Sequence, residues 1–121
     1  MENGCDVLII GGFGHVGLPL GIVLADAGFQ VRLLDLNTAL RPSIEAGEMP
    51  FIEYDAEPML KRVIGKTLKV ADGIADAAHA RVIIITIGTP VDEYLSPKTR
   101  GLFDLADTLL PHINEKQCIM L

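Results

Sequence analysis

This chain of 121 residues has little cysteine, little positive charge and no long apolar run. Its two cysteines, Cys5 and Cys118, lie far apart, and each borders a predicted strand. That spacing fits neither a metal site nor a redox pair. The expectation is two reduced thiols near the core, as cytosolic proteins carry them. Ten basic residues stand against sixteen acidic ones, giving a net charge of -6, and Lys61-Arg62 is the only adjacent basic pair. Nucleic acid is thereby excluded as a partner, because phosphate binding needs clustered Lys and Arg. Apolar stretches such as 82–85 fall far short of the ~20 residues of a membrane-spanning helix. Met1 leads through Glu2 and Asn3 into a strand, with no basic leader region before it. A cytoplasmic protein with no membrane partner is expected. Repeats, low-complexity tracts and linkers are also missing.

What is present is apolar substance in an alternating order. Hydrophobic residues make up 50% of the chain and the mean hydropathy is +0.39, enough for one folded domain with its own core. Strands are predicted at Cys5–Ile10, 30–35, 67–71, 81–87 and 117–121. Helices are predicted at 14–28, 38–46, 56–64 and 102–113, with a brief helical turn at 75–80. Gly28 and Gly47 read as helix stops. Pro42 sits badly inside a helix, so the second helix has an alternative start there. "EMPFIEYD" (48–55) and "GTPVDEYLSPKTRG" (88–101) read as loops. Near-continuous apolar strands such as "RVIIITI" alternating with helices imply a parallel sheet covered on both faces. The expected fold is α/β: a Rossmann-type, doubly wound parallel sheet of order 3-2-1-4-5. The chain stops inside its last predicted strand, which reads as a sheet truncated there.

The chemistry is concentrated after the first strand, in "VLIIGGFGHVGLPLG" (7–21), where Gly12, Gly14 and Gly17 take the G-x-G-x-x-G spacing. In this reading Gly12 makes the tight turn, Gly14 lets a diphosphate approach the backbone, and Gly17 seats the helix close to the strand. Gly11 and Gly21 are assigned to packing alone. The helix N-terminus, with unpaired amides and a positive dipole end, favours an anion. His15 and Val16, between the glycines, are placed in the wall of the cofactor site and not among catalysts. Asp35 closes the second strand at about the 20-residue separation where a carboxylate meets the adenosine ribose. Such a carboxylate repels a 2′-phosphate, so NAD is expected over NADP; Arg32 and Arg41 temper that preference. The competing reading is that the glycines only shape a turn and that Asp35 caps the next helix. In an order 3-2-1-4-5 sheet, Gly88, Thr89 and Pro90 of "TIGTPVDE" would face the same crevice. Thr89 offers a hydroxyl and an amide there, and Pro90 a rigid edge. His79 and His112 are expected to be solvated.

With these pieces in order, the chain resembles the amino-terminal NAD-binding domain of the UDP-glucose/GDP-mannose 6-dehydrogenase family. The matching segments are "GGFGHVGLPLGIVLADAGFQVRLLDLN", "AGEMPFIE" and "TIGTPVDE". The resemblance implies that residues 1–121 are a fragment of a longer enzyme that oxidises the C6 alcohol of a UDP- or GDP-sugar to a carboxylate in two NAD-dependent steps. It assigns Gly12, Gly14 and Gly17 to the pyrophosphate, Asp35 to the ribose, and Thr89 and Pro90 to the cofactor. The family's Gly-x-Cys-x-x-Lys-Asp motif is not in this sequence, so no catalytic residue is assigned. The nucleotide sugar is expected as a partner only with the domains that would follow. A basic residue common in the family five positions after the ribose aspartate is replaced by Leu40, leaving Arg41 as the candidate on the adenosine side. Glu53 matches the family's loop carboxylate, with its role open. The reading from a different class is a non-catalytic nucleotide-sensing module. The "MPFIE" loop and "GTPVDE" turn favour the dehydrogenase.

Overall fold

The computed structural model describes residues 4–53, 55–87 and 100–120. Five parallel strands form one sheet: β1 (Cys5–Ile10), β2 (Val31–Leu34), β3 (Leu68–Val70), β4 (Ala80–Ile85) and β5 (Cys118–Met120). Their spatial order is β3-β2-β1-β4-β5, as expected. One register row crosses the whole sheet through Leu68, Val31, Val7, Val82 and Cys118. β1 is apolar from Val7 onward because both of its faces are covered there, while Asp6 near its start accepts from the Gln30 amide at 2.8 Å. Val7 and Ile9 join one core with α1 (Gly17–Asp26), α2 (Arg41–Glu45) and α3 (Ala56–Val63), through Leu18, Ile22, Ile44 and Leu60. Leu8 and Ile10 join the other, with a 3-10 segment (Ile74–His79) and α4 (Arg100–Leu109), through Ala77 and Leu109. Each fully buried large aliphatic contributes about 1.5–3 kcal/mol relative to leaving it exposed.

Differences from the predicted elements have local causes. α1 starts at Gly17, not residue 14, because the residues before it are used in the glycine turn. The segment 38–46 splits into a 3-10 turn (Thr38–Leu40) and α2, with Pro42 in the first turn of α2, where its missing N–H breaks no helical bond. Likewise α4 gives way to a 3-10 turn (Leu110–His112) around Pro111, which cannot continue the α-helical ladder. Gly28 and Gly47 do end their helices, at φ +106 and +84. Cys118 departs from expectation. It is exposed, like the rest of β5, since this outermost strand pairs with β4 alone. Cys5 is buried as expected. His79 is exposed, whereas His112 is half-buried. No helix among the described residues is long and apolar enough to cross a membrane.

Candidate functional site

β1 ends at Ile10, level with Leu34 of β2 and Ile85 of β4, so its carboxyl end faces the crevice where the strand order reverses. The chain must leave the sheet here and enter α1 within a few residues. Gly11 makes that turn, at φ +86, a region that costs a side-chain-bearing residue roughly 1–2 kcal/mol. The amides of Gly11 and Gly12 both donate to the Leu34 carbonyl, at 2.8 and 3.1 Å, and the Gly14 amide donates to the Gly11 carbonyl at 3.1 Å. The left-handed torsion therefore belongs to Gly11 and not to Gly12, and Gly11 is more than packing. Gly12 is required for a different reason: a Cβ there would lie 2.8 Å from the Leu33 Cβ. Gly17 lets α1 close on the turn, since its Cβ would collide with the Gly11 carbonyl oxygen and stand 2.7 Å from the Thr86 hydroxyl. Gly21 packs on Leu33, as expected.

Gly14 is different. A Cβ there would meet only the Gly11 carbonyl oxygen, at 3.4 Å, and Gly14 borders a cleft of about 830 Å³. Gly11, Asp35, Leu36, Ile74 and Thr86 border the same cleft. This volume suits a small-molecule ligand. No side chain caps α1 and no acidic residue occupies its first turn. The Leu18 amide donates to the Gly14 carbonyl at 3.1 Å and Pro19 has no N–H, so the Gly17 amide and the positive dipole end are left to attract an anion. Asp35 follows β2 directly and is half-buried. Its Oδ2 accepts from the Phe13 amide at 3.0 Å, and its Oδ1 accepts from the Asn37 amide at 2.9 Å. Asn37, not Asp35, holds the N-cap place of the next turn. A carboxylate has roughly four acceptor positions, so each oxygen keeps one for a ligand hydroxyl. A cradle that a Cβ at Gly14 would occupy, with a carboxylate beside it, fits a dinucleotide's diphosphate and ribose.

The family model described as UDP-glucose/GDP-mannose dehydrogenase family, NAD binding domain, matches residues 6–121. The chain belongs to this family. Its cofactor is NAD. UDP-N-acetyl-D-mannosamine dehydrogenase of Pyrococcus horikoshii is 33% identical over 103 residues, covering 81% of this chain and 24% of that protein. UDP-glucose 6-dehydrogenase of Pseudomonas aeruginosa is 31% identical over 107 residues, covering 84% of this chain and 23% of that protein. The chain thus spans about a quarter of the length of these relatives. The fold matches the crystal structure of a ternary complex of GDP-mannose dehydrogenase from Pseudomonas aeruginosa with a TM-score of 0.85 at 21% identity, over 94% of this chain and 27% of that one.

Within this NAD-binding domain, His15 and Val16 are exposed and precede α1, so His15 is not in the first helical turn. The His15 ring stacks on Phe51, with centroids 4.1 Å apart and planes inclined by 25°. That contact ties the "MPFIE" loop to the glycine turn. Glu53 is exposed. Arg41 donates to Glu45 and Asp72, both at 3.1 Å, and Asp72 precedes Gly73 and Ile74 of the cleft wall. Arg32 instead lines a small polar pocket with Cys5, Gln30 and Lys69, at the strands' amino ends. Asp35 borders the large cleft and Arg32 does not. Thr89 and Pro90 lie outside the described residues. Burial pushes the Cys5 thiol up to about 11, with Asp6 and Asp76 adding to the shift and Arg32 opposing it. Sequence reasoning passed over Thr86, whose hydroxyl donates toward the carbonyls of Ile10 and Gly11. The available signal was a lone hydroxyl inside the apolar run "VIIITI".

Proposed function

We propose that this chain is the cofactor-holding part of a nucleotide-sugar 6-dehydrogenase, with the diphosphate of NAD over residues 12–17 and the adenosine ribose on Asp35. The observation that carries this reading is the side of Gly14 left open to the cleft that Asp35 also borders. Bound NAD supplies a hydride acceptor, and the longer protein would use it to oxidise the C6 alcohol of a UDP- or GDP-sugar to a carboxylate. The residues of this chain bind and orient. Gly12 and Gly17 bring strand, turn and helix together, and Gly14 keeps the diphosphate's space free of side chain. Asp35 accepts from the ribose hydroxyls while gripping the Phe13 amide, so ribose site and glycine turn move as one body. Its charge repels a 2′-phosphate. His15 and Val16 form the outer wall of the turn. Arg41 stands on the adenosine side, and the cofactor role of Thr89 and Pro90, outside the described residues, rests on the family resemblance alone. The work is that of a cytoplasmic enzyme.

The chain acts here as a binding part without a catalytic residue of its own. Cys5 is buried with a raised pKa, and neither cysteine lies in the family's nucleophile motif. Calorimetric titration with NAD and NADP tests the reading. NAD is expected to bind at least tenfold tighter, a difference of about 1.4 kcal/mol or more. Equal affinities would remove Asp35 from the ribose. In the same preparation, UDP-glucose and NAD together are expected to yield no NADH above background. NADH formation abolished by a substitution within this chain would show a complete site.

A further inference from the structure

We infer that Thr86 is a positioning residue for the diphosphate: its hydroxyl holds the glycine turn in the shape that receives phosphate. This rests on the glycine turn being the diphosphate site. Thr86 follows β4, and its backbone amide already donates to the Ile10 carbonyl at 2.8 Å, continuing the sheet ladder. Its hydroxyl points the same way, 3.1 Å from the Ile10 carbonyl oxygen and 3.2 Å from that of Gly11. The Gly11 carbonyl is also the acceptor for the Gly14 amide. One hydroxyl therefore orients the peptide that in turn fixes the residue left open to the cleft.

The glycines around Thr86 make room for this hydroxyl. A Cβ on Gly11 would stand 2.8 Å from Thr86 Oγ1, and a Cβ on Gly17 would stand 2.7 Å from it. The hydroxyl occupies the notch that the missing side chains of these two residues leave, between the start of the turn and the start of α1. Replacing it by a methyl of similar size sets an apolar group against two carbonyl oxygens. Both carbonyls keep a backbone donor, from Thr86 and Gly14, so the sheet and the turn persist without the hydroxyl. What is lost is the hydroxyl's share in holding the Gly11 carbonyl, so the Gly14 backbone bonded to that carbonyl is held less tightly at the edge of the cleft. The ribose carboxylate is untouched, because Asp35 grips the turn separately through Phe13.

The test compares ADP with adenosine on the chain and on Thr86→Val, Thr86→Ala and Thr86→Ser, by calorimetry for ADP and NMR titration for adenosine. Thr86→Val and Thr86→Ala are expected to weaken ADP about tenfold while changing adenosine less than twofold. Thr86→Ser, which keeps the hydroxyl, is expected to stay within twofold of the original on both. Thr86→Val binding ADP like the original overturns the inference, as do equal losses for ADP and adenosine, or a serine variant as weak as the valine one. Failure of both Thr86→Val and Thr86→Ala to fold also overturns it, by making the hydroxyl a requirement of the fold. Gly14→Val separates this from the site assignment: if that variant binds ADP normally, the diphosphate site itself is misplaced, whatever Thr86 does.

Discussion

Gly14 and Gly17 belong to one sequence motif, yet substituting them should produce opposite defects. A Cβ at Gly17 would run into the Gly11 carbonyl oxygen and stand 2.7 Å from Thr86 Oγ1. Neither atom is the loose end of a flexible side chain, so Gly17→Ala must move α1 away from the turn. Overpacking of this kind costs about 1–3 kcal/mol. The better helix propensity of alanine returns at most about 1 kcal/mol. From the middle of the first range, about 2 kcal/mol, a net loss of about 1–2 kcal/mol remains, which lowers the melting temperature by roughly 4–12 °C for a domain near this size. At Gly14 a Cβ meets only one atom, at an ordinary 3.4 Å, and the backbone is not left-handed. Gly14→Val should therefore melt within about 3 °C of the original, a change under roughly 1 kcal/mol. Its branched side chain would occupy the space proposed for the diphosphate, and NAD affinity should fall at least a hundredfold, about 2.7 kcal/mol. Calorimetric melting and NAD titration of both variants decide the matter. A Gly17→Ala protein as stable as the original, or a Gly14→Val protein that binds NAD normally, refutes the reasoning.

Asp35→Asn replaces one acceptor oxygen by an amide NH2, so either the Phe13 or the Asn37 amide loses its partner; NAD should weaken about tenfold, and the preference for NAD over NADP should narrow, by titration. The buried Cys5 should resist iodoacetamide at pH 8 in the folded chain while the exposed Cys118 is alkylated, as peptide mass spectrometry would show; equal labelling contradicts the burial. Because the folded-state pKa of Cys5 is raised from 9.0 to about 11, its neutral thiol favours the folded state below the lower value. That contribution is lost as pH rises through the interval, and Cys5→Ala should flatten this alkaline slope in denaturant titrations. For the His15–Phe51 stack, a double-mutant cycle with alanine at both positions should give a coupling of about 0.5–1.5 kcal/mol. A coupling of zero would mean the ring contact does not hold the loop.

Much of this protein can be read along the chain, because the relevant physics is local or periodic. The apolar run of β1, the helix stops at Gly28 and Gly47, and the glycine spacing before α1 each reflect neighbours in sequence. Their alternation leaves few topologies, and the order 3-2-1-4-5 was among them. Asp35 could be placed because the end of a strand beside β1 lies at the crevice by the geometry of parallel sheets. The family resemblance likewise rests on contiguous segments.

Contacts between distant segments were beyond reach. Which glycine takes the positive φ depends on where the Leu34 carbonyl stands when the Gly11 and Gly12 amides turn toward it, and only the docked β2 settles that. Gly12 and Gly17 look alike in sequence, but one yields to Leu33 and the other to a carbonyl and the Thr86 hydroxyl. The bond from Phe13 to Asp35 and the stack of His15 on Phe51 join residues far apart in sequence, with no periodic signal to announce them. The exposure of Cys118 follows from the place of β5 at the outside of the sheet, not from its apolar surroundings in the chain. The sequence by itself determined the elements, their order and the residue types available at the crevice. The tertiary structure decided which of those residues touch, because contact distances are set by strand register and helix docking, which bring together atoms that the chain keeps apart.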